Sequence, residues 1–275
     1  CFHVLDHYKK QIKLRFFLSK FNMLKQPKMS NYPSIFNDVI GPVMRGPSSS
    51  HCAASLRIAR ICRDLMDEQI KDIVIEFDPN GSLATTHKSQ GSDMGLFGGF
   101  LGWEAYDERL PDSEKHLATA GINYTITICP LEEKHPNTYK IRLSNEKETK
   151  ELIAISTGGG MIEVINIDGN KVSMAGDYYE TLIYCTDADN IIKYLKSTIT
   201  YDEIIFHKGT NSFIEIKSPA AISETICKEM MQMHSVHSIK SIKPVLPIMA
   251  RKGMTVPFIT CNEMMQYNEG KNKAL

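Results

Sequence analysis

The strongest constraint on the fold lies after Asp177. Six short segments follow one another there: YETLIYC, ADNIIKYLKS, YDEIIFH, NSFIEIK, AAISETICKEMMQM and VHSIKSIK. They read as strand, helix, strand, strand, helix, strand, joined by short turns such as HKGT. That is the order of a split βαβ unit, in which one small sheet carries both helices.

Upstream, from Tyr32, the rhythm differs but still mixes the two element types. Ala54, Leu56, Ile58, Ile61, Cys62, Leu65 and Met66 form an apolar stripe at helical spacing, and IKDIVIEF then alternates as a half-buried strand. MGLFGGFLGW predicts a tightly packed helix whose Gly95, Gly98 and Gly99 allow close backbone contact. A short helix over 112–120 and strands at 122–129, 138–144, 150–156 and 161–167 come next, with IDGNKV as a hairpin and TGGG as a turn between strands. The expected class is α/β in content and α+β in layout. Its divisions are an N-terminal extension at 1–31, a first domain at 32–176, a second at 177–243, and a linker that starts a further domain at 244–275.

The two ends are read separately. The first 28 residues are basic and aromatic, without the apolar core of a signal peptide, and are expected to be a disordered extension ahead of Met29; a transit peptide is the other reading. In the tail, Thr260 and Glu263 form a capping-box pattern at the start of a new helix.

Equal numbers of basic and acidic side chains, 32 each, argue against broad attraction to nucleic acid or to an anionic membrane. A small neutral or zwitterionic partner fits better. No apolar run approaches the roughly 20 residues of a bilayer span. Seven scattered cysteines with no Cys-x-x-Cys pair suggest reduced thiols and a cytoplasmic setting.

The polar chemistry gathers in two stretches. RGPSSSH runs straight into the first helix, and a helix mouth offers unpaired N–H groups and a partial positive charge. Ser48, Ser49 and Ser50 add hydroxyl donors suited to a carboxylate or phosphate. A plain serine N-cap is the competing reading. His51 reads equally as a structural hydrogen-bonding residue or as an acid, base or ligand. The second stretch, GSLATTHKSQGSD, sets His87, Lys88, Gln90, Ser92 and Asp93 in one turn before the glycine-rich helix. Lys88 is suited to pairing with a carboxylate and Gln90 to bonding it, while Ser92 or Asp93 could cap the helix.

Four separated stretches, SIFNDVIGPVMRGPSSSH, GSLATTHKSQGSDMGLFGG, HPNTYKI and ISTGGGMIEV, together resemble the beta chain, or N-terminal half, of iron-sulfur-dependent L-serine dehydratase (L-serine ammonia-lyase). The resemblance runs over about residues 34 to 243. It implies a serine dehydratase beta domain similar to an allosteric anion-binding domain, followed by a ferredoxin-like module that resembles an ACT domain. It also implies conversion of L-serine to pyruvate and ammonia together with an alpha portion. That portion's cysteines would hold a 4Fe-4S cluster, so the chain alone would be inactive. An ACT-like module implies self-association into a homo-oligomer.

Under the resemblance, Ser48, Ser49, Ser50 and His51 grip the substrate carboxylate or help to move protons, with His51 as the catalytic residue. Lys88, Gln90, Ser92 and Asp93 contact substrate or support the interface. Two positions depart from the family pattern. Cys52 stands where a threonine usually follows the histidine, and Gln90 stands where the second loop usually carries histidine. Glutamine is no general base near neutral pH, so either no proton moves at that position, or His87 serves instead, or the work is distributed differently. A regulatory module binding an amino acid or anion, without catalysis of its own, is the alternative.

Overall fold

The computed structural model describes residues 44–245 and 260–269. These fall in two separate units, each taken by itself. The expected extension at 1–31 and most of the expected linker at 244–275 lie outside the described residues.

The main unit opens with α1 (Ser49–Asp64), β1 (Asp72–Phe77), α2 (Leu83–Thr86), α3 (Ser92–Phe100) and, after a 3-10 turn at Leu110–Asp112, α4 (Ser113–Thr119). Strands β2 (Asn123–Ile128), β3 (Thr138–Ser144), β4 (Thr149–Gly158), β5 (Met161–Ile167) and β6 (Asn170–Met174) complete a six-stranded sheet in the order β2-β1-β3-β4-β5-β6. Only β1 and β2 pair in parallel, and the helices α2 to α4 supply the crossover that a parallel pair requires. The TGGG stretch is the expected strand-to-strand turn: Gly158 pairs with Met161, leaving Gly159 and Gly160 at φ of 61° and 82°. Two residues at positive φ match the twist of a tight hairpin.

The second sheet contains β7 (Tyr179–Cys185), β8 (Glu203–His207), β9 (Phe213–Ser218) and β10 (Val236–Ile242), with α5 (Asp189–Thr198) and α6 (Glu224–Met231) between them. Its order is β10-β7-β9-β8, antiparallel throughout, which is the split βαβ arrangement expected from the segment order. One face packs Ile183, Ile214 and Ile216 against Ile191, Leu195 and Met230 of the helices. The opposite face sends Leu182, Tyr184, Phe213 and Ile242 into the core of the first sheet.

That shared core also buries charge. Lys240 Nζ lies 2.7 Å from both Asp67 Oδ2 and Glu148 Oε2, tying β10 to the segment after α1 and to the β3–β4 turn. Glu215 is held by His207 Nε2 at 2.6 Å, with Lys217 Nζ 3.6 Å away. Glu180, only 2% exposed, has no hydrogen-bond partner on either oxygen among the described residues. Burial, and then the charge of Glu215, push its carboxyl up to about 9.

Helices α1 and α3 meet backbone to backbone. A Cβ at Gly95 would sit 2.1 Å from Ser55 Oγ and 2.2 Å from the Cys52 carbonyl, and one at Gly99 would sit 2.3 Å from the Leu56 carbonyl. Glycines four apart share one helix face, so the whole contact depends on missing side chains. One element departs from the sequence reading: residues 83–86 form a helical turn where a loop is expected. Fully buried Leu83 anchors it and Thr86 Oγ1 donates to the Ser82 carbonyl at 2.6 Å, a turn too short for periodicity to reveal.

The described part of the second unit is α7 (Cys261–Asn268). It carries the expected capping box: Thr260 Oγ1 accepts from the Glu263 N–H at 3.2 Å and Glu263 Oε2 accepts from the Thr260 N–H at 2.9 Å.

Two stability changes are expected. Gly95→Ala should lower the unfolding free energy by about 1–3 kcal/mol through overpacking, read from the urea midpoint; an unchanged midpoint would mean that the two helices have room to spare. For Glu180, the ordinary carboxyl value is 4.5 and the folded value is about 9. The folded chain therefore keeps a proton that the unfolded chain has lost. The stability this confers is full below 4.5 and is lost as the pH rises toward about 9, by up to about 1.4 kcal/mol per pH unit. Glu180→Gln should flatten that slope, and an unaltered slope would clear Glu180 of the effect.

Candidate functional site

The serine turn and the second polar loop are neighbours. The Ser48 N–H donates to the Gln90 carbonyl at 3.3 Å, and a Cβ built on Gly91 would stand 3.0 Å from Pro47 Cδ. The cis Gly46–Pro47 peptide therefore packs directly on the Gln90–Gly91 backbone. Behind this seam, the Gly95 contact fixes the first turns of α1 and α3 side by side.

Ser48 is the N-cap residue of α1, with φ of −111° and ψ of 107°, yet its hydroxyl makes no cap hydrogen bond. It turns instead to His51 Nδ1 at 2.8 Å and lies 3.4 Å from Ser50 Oγ. The plain N-cap reading is therefore not what the geometry shows. The first-turn N–H groups of α1 carry no side-chain cap, no acidic residue stands in that turn, and Ser49 is exposed. A helix mouth in this state retains both its donors and its partial positive charge. His51 is half-buried, and its carbonyl accepts from Ser55 Oγ at 2.9 Å, one of the atoms that excludes a side chain at Gly95.

The residues of the second loop separate by direction. Lys88 is exposed and Gln90 half-buried. Ser92 is fully buried, its hydroxyl 3.3 Å from that of Tyr139, whose phenol burial pushes up to about 12. Asp93 is engaged with His87, whose Nδ1 lies 2.7 and 2.9 Å from the two carboxylate oxygens. Burial raises the Asp93 carboxyl, while the His87 hydrogen bond and the nearby charges of His87 and Lys88 act the other way. The sequence brought these residues to one turn but did not show that Ser92 faces inward or that Asp93 pairs with His87.

One further residue borders the site. Arg57, 4% exposed on α1, donates to the Gly160 carbonyl and sets the TGGG turn beside Ala53 and Met44. It makes no salt bridge among the described residues, and burial lowers its guanidinium to about 10. In the sequence it is one of two arginines, with Arg60, in the helical run LRIARIC, and nothing local sets it apart.

The described thiols do not fit an iron-sulfur cluster. Cys52, Cys62 and Cys185 are buried, Cys129 follows β2, Cys227 lies on α6 and Cys261 on α7, and no group of three His, Cys, Asp or Glu among the described residues is placed to hold a metal ion. Burial pushes the Cys52 thiol up to about 11, away from the thiolate a metal needs. Cys52 itself fills a small, fully enclosed space under the mouth of α1. No helix among the described residues is long and apolar enough to cross a membrane.

No family model matches the chain. It is 38% identical over 156 residues to the probable L-serine dehydratase beta chain of Bacillus subtilis (strain 168), covering 57% of this chain and 70% of that protein. It is 35% identical over 177 residues to the L-serine dehydratase beta chain of Peptoniphilus asaccharolyticus, covering 64% of this chain and 78% of that one. With two such relatives matched over most of their length, the chain belongs to the L-serine dehydratase beta-chain family.

Proposed function

We propose that this chain is the beta portion of an L-serine dehydratase that turns L-serine into pyruvate and ammonia only when joined to an alpha portion. The uncapped mouth of α1 is its substrate-carboxylate site. The observation that carries this reading is the Ser48 hydroxyl, which faces His51 and leaves the helix N–H groups open beside the 87–93 loop.

The chemistry makes that geometry useful. The Cα proton of an amino acid is weakly acidic, and its removal places charge that spreads onto the carboxylate. Preorganised N–H donors at the carboxylate stabilise this charge more than they stabilise the ground state. Ser48, Ser49 and Ser50 hold the carboxylate, and His51, oriented by Ser48, handles protons next to it. Exposed Lys88 adds positive charge, and Gln90 lines the seam with its backbone carbonyl. Ser92, bonded to Tyr139, supports the interface between loop and sheet. Loss of water from serine gives an aminoacrylate, which becomes an imine and is hydrolysed to the keto acid and ammonia.

The 4Fe-4S cluster that the family resemblance implies belongs, in this reading, to the alpha portion, in keeping with the thiols of this chain. The reading also takes residues 32–176 as the beta domain and 177–243 as an ACT-like module through which copies of the chain pair. It sets the enzyme in the reducing cytoplasm, in agreement with the six unpaired cysteines described.

Reconstitution with the alpha portion tests the assignment. Ser49→Ala combined with His51→Ala should reduce turnover by at least about 10²-fold while leaving the cluster absorbance intact. Unchanged turnover would refute it. Calorimetry separates the regulatory alternative: tight L-serine binding by this chain alone would favour a sensor, and binding only after the alpha portion is added favours a shared active site.

A further inference from the structure

Gln90, whose carbonyl meets the Ser48 N–H, brings no titratable side chain to the second loop, but the same loop carries an imidazole. His87 follows the last residue of α2, and its carbonyl accepts the N–H groups of Ser92 at 2.8 Å and Asp93 at 3.3 Å. This folds the loop back so that the Asp93 carboxylate, in the first turn of α3, meets His87 Nδ1 with both oxygens within 2.9 Å. The imidazole lies on Phe77, with ring centroids 5.2 Å apart and planes 32° apart, and Phe77 is fully buried. The ring is therefore fixed from below and at one nitrogen.

A carboxylate on Nδ1 selects the tautomer with its proton there and leaves the Nε2 lone pair as the only acceptor on the ring. A wholly enclosed pair would be a packing device, whereas here the side chains keep 21% and 14% of their surface open. The charged neighbours that act on Asp93 are Lys88 and Glu114, and neither bonds to the pair. The loop that carries the pair is the one whose backbone is hydrogen-bonded to Ser48 at the mouth of α1.

We propose that His87, oriented by Asp93, is a proton-transfer residue of the dehydration, supplying from a neighbouring position the base that Gln90 cannot be. The assignment rests on the L-serine dehydratase reading above. In the step, His87 Nε2 takes the Cα proton and the C–H electron pair becomes the new Cα–Cβ double bond. The Cβ–O bond breaks with its pair on oxygen, and the departing hydroxide takes up the proton that His87 gained, leaving as water and restoring the neutral ring. Asp93 acts through His87 and is a positioning residue.

The test uses the full chain reconstituted with its alpha portion, and nitrogen-15 NMR of the full chain alone. His87→Gln should lower kcat by about 10²- to 10⁴-fold with KM changed by only a few-fold, and should abolish the acidic limb of the pH dependence of kcat/KM. Added imidazole should restore part of the rate of His87→Ala. In the wild-type chain the His87 ring should show a protonated Nδ1 and an unprotonated Nε2, and Asp93→Asn should mix the two tautomers while lowering kcat. Retention of kcat within about threefold and of the acidic limb in His87→Gln would overturn the proposal. So would a wild-type ring protonated at Nε2, a result that does not depend on the variants folding. A wild-type complex with no turnover of L-serine would overturn the underlying reading as well, whereas wild-type turnover with unaltered His87→Gln kinetics overturns this proposal alone.

Discussion

The closeness of α1 and α3 governs the geometry of everything polar in the first half of the chain. With no side chain at Gly95 or Gly99, the α3 backbone lies against the Cys52 and Leu56 carbonyls. The loop that precedes α3 then has nowhere to go but across the mouth of α1. Its Gln90 carbonyl meets the Ser48 N–H, and its Gly91 meets Pro47. Two polar stretches about 40 residues apart become one surface through a packing contact that involves no polar side chain of that surface. The hydroxyl of Ser55 belongs to both sides of the arrangement, since it bonds the His51 carbonyl and also fills the space that Gly95 leaves.

The second sheet rests on the first through a different kind of contact. Tyr184 donates to Asp168 at 2.7 Å, Lys150 pairs with the same carboxylate at 2.9 Å and lies over the Tyr184 ring, and Lys240 reaches Asp67 and Glu148. Lys240 is buried, and Lys150 and Asp168 nearly so, beside the core that holds Leu182, Phe213 and Ile242, while Asp67 lies at its edge. Buried ion pairs add little net stability over apolar packing, but removing one partner leaves a costly unpaired charge. Glu180 is the exception, a carboxyl kept neutral by burial, so this seam loses stability as the pH rises from 4.5 toward about 9.

Much of this fold was legible because its signals are periodic. The four strands and two helices after Asp177 and the α1 stripe announce themselves through apolar spacing, and the glycine-rich helix through its nearly continuous apolar run. The capping box at Thr260 is equally local, needing only a residue pair three apart. What stayed hidden depends on contacts distant in sequence or on side-chain direction within a turn. Ser92 and Asp93 are adjacent, yet one points into the core toward Tyr139 and the other back to His87. Arg57 looks like one more helix residue until the β4–β5 turn arrives more than 100 positions later to receive it. Glu180 and Glu215 lie in strand segments that do not by themselves show burial, and only the packing of sheet on sheet encloses them.

In the proposed reading, the serine mouth and the loop that crosses it form one substrate-holding surface that an alpha portion completes. Amide hydrogen exchange of the full chain, alone and then with the alpha portion and L-serine, tests this most directly. Residues 48–52 and 87–93 should slow together, and only when partner and substrate are both present. Exchange unchanged in both stretches, with any protection confined to the second sheet, would contradict it.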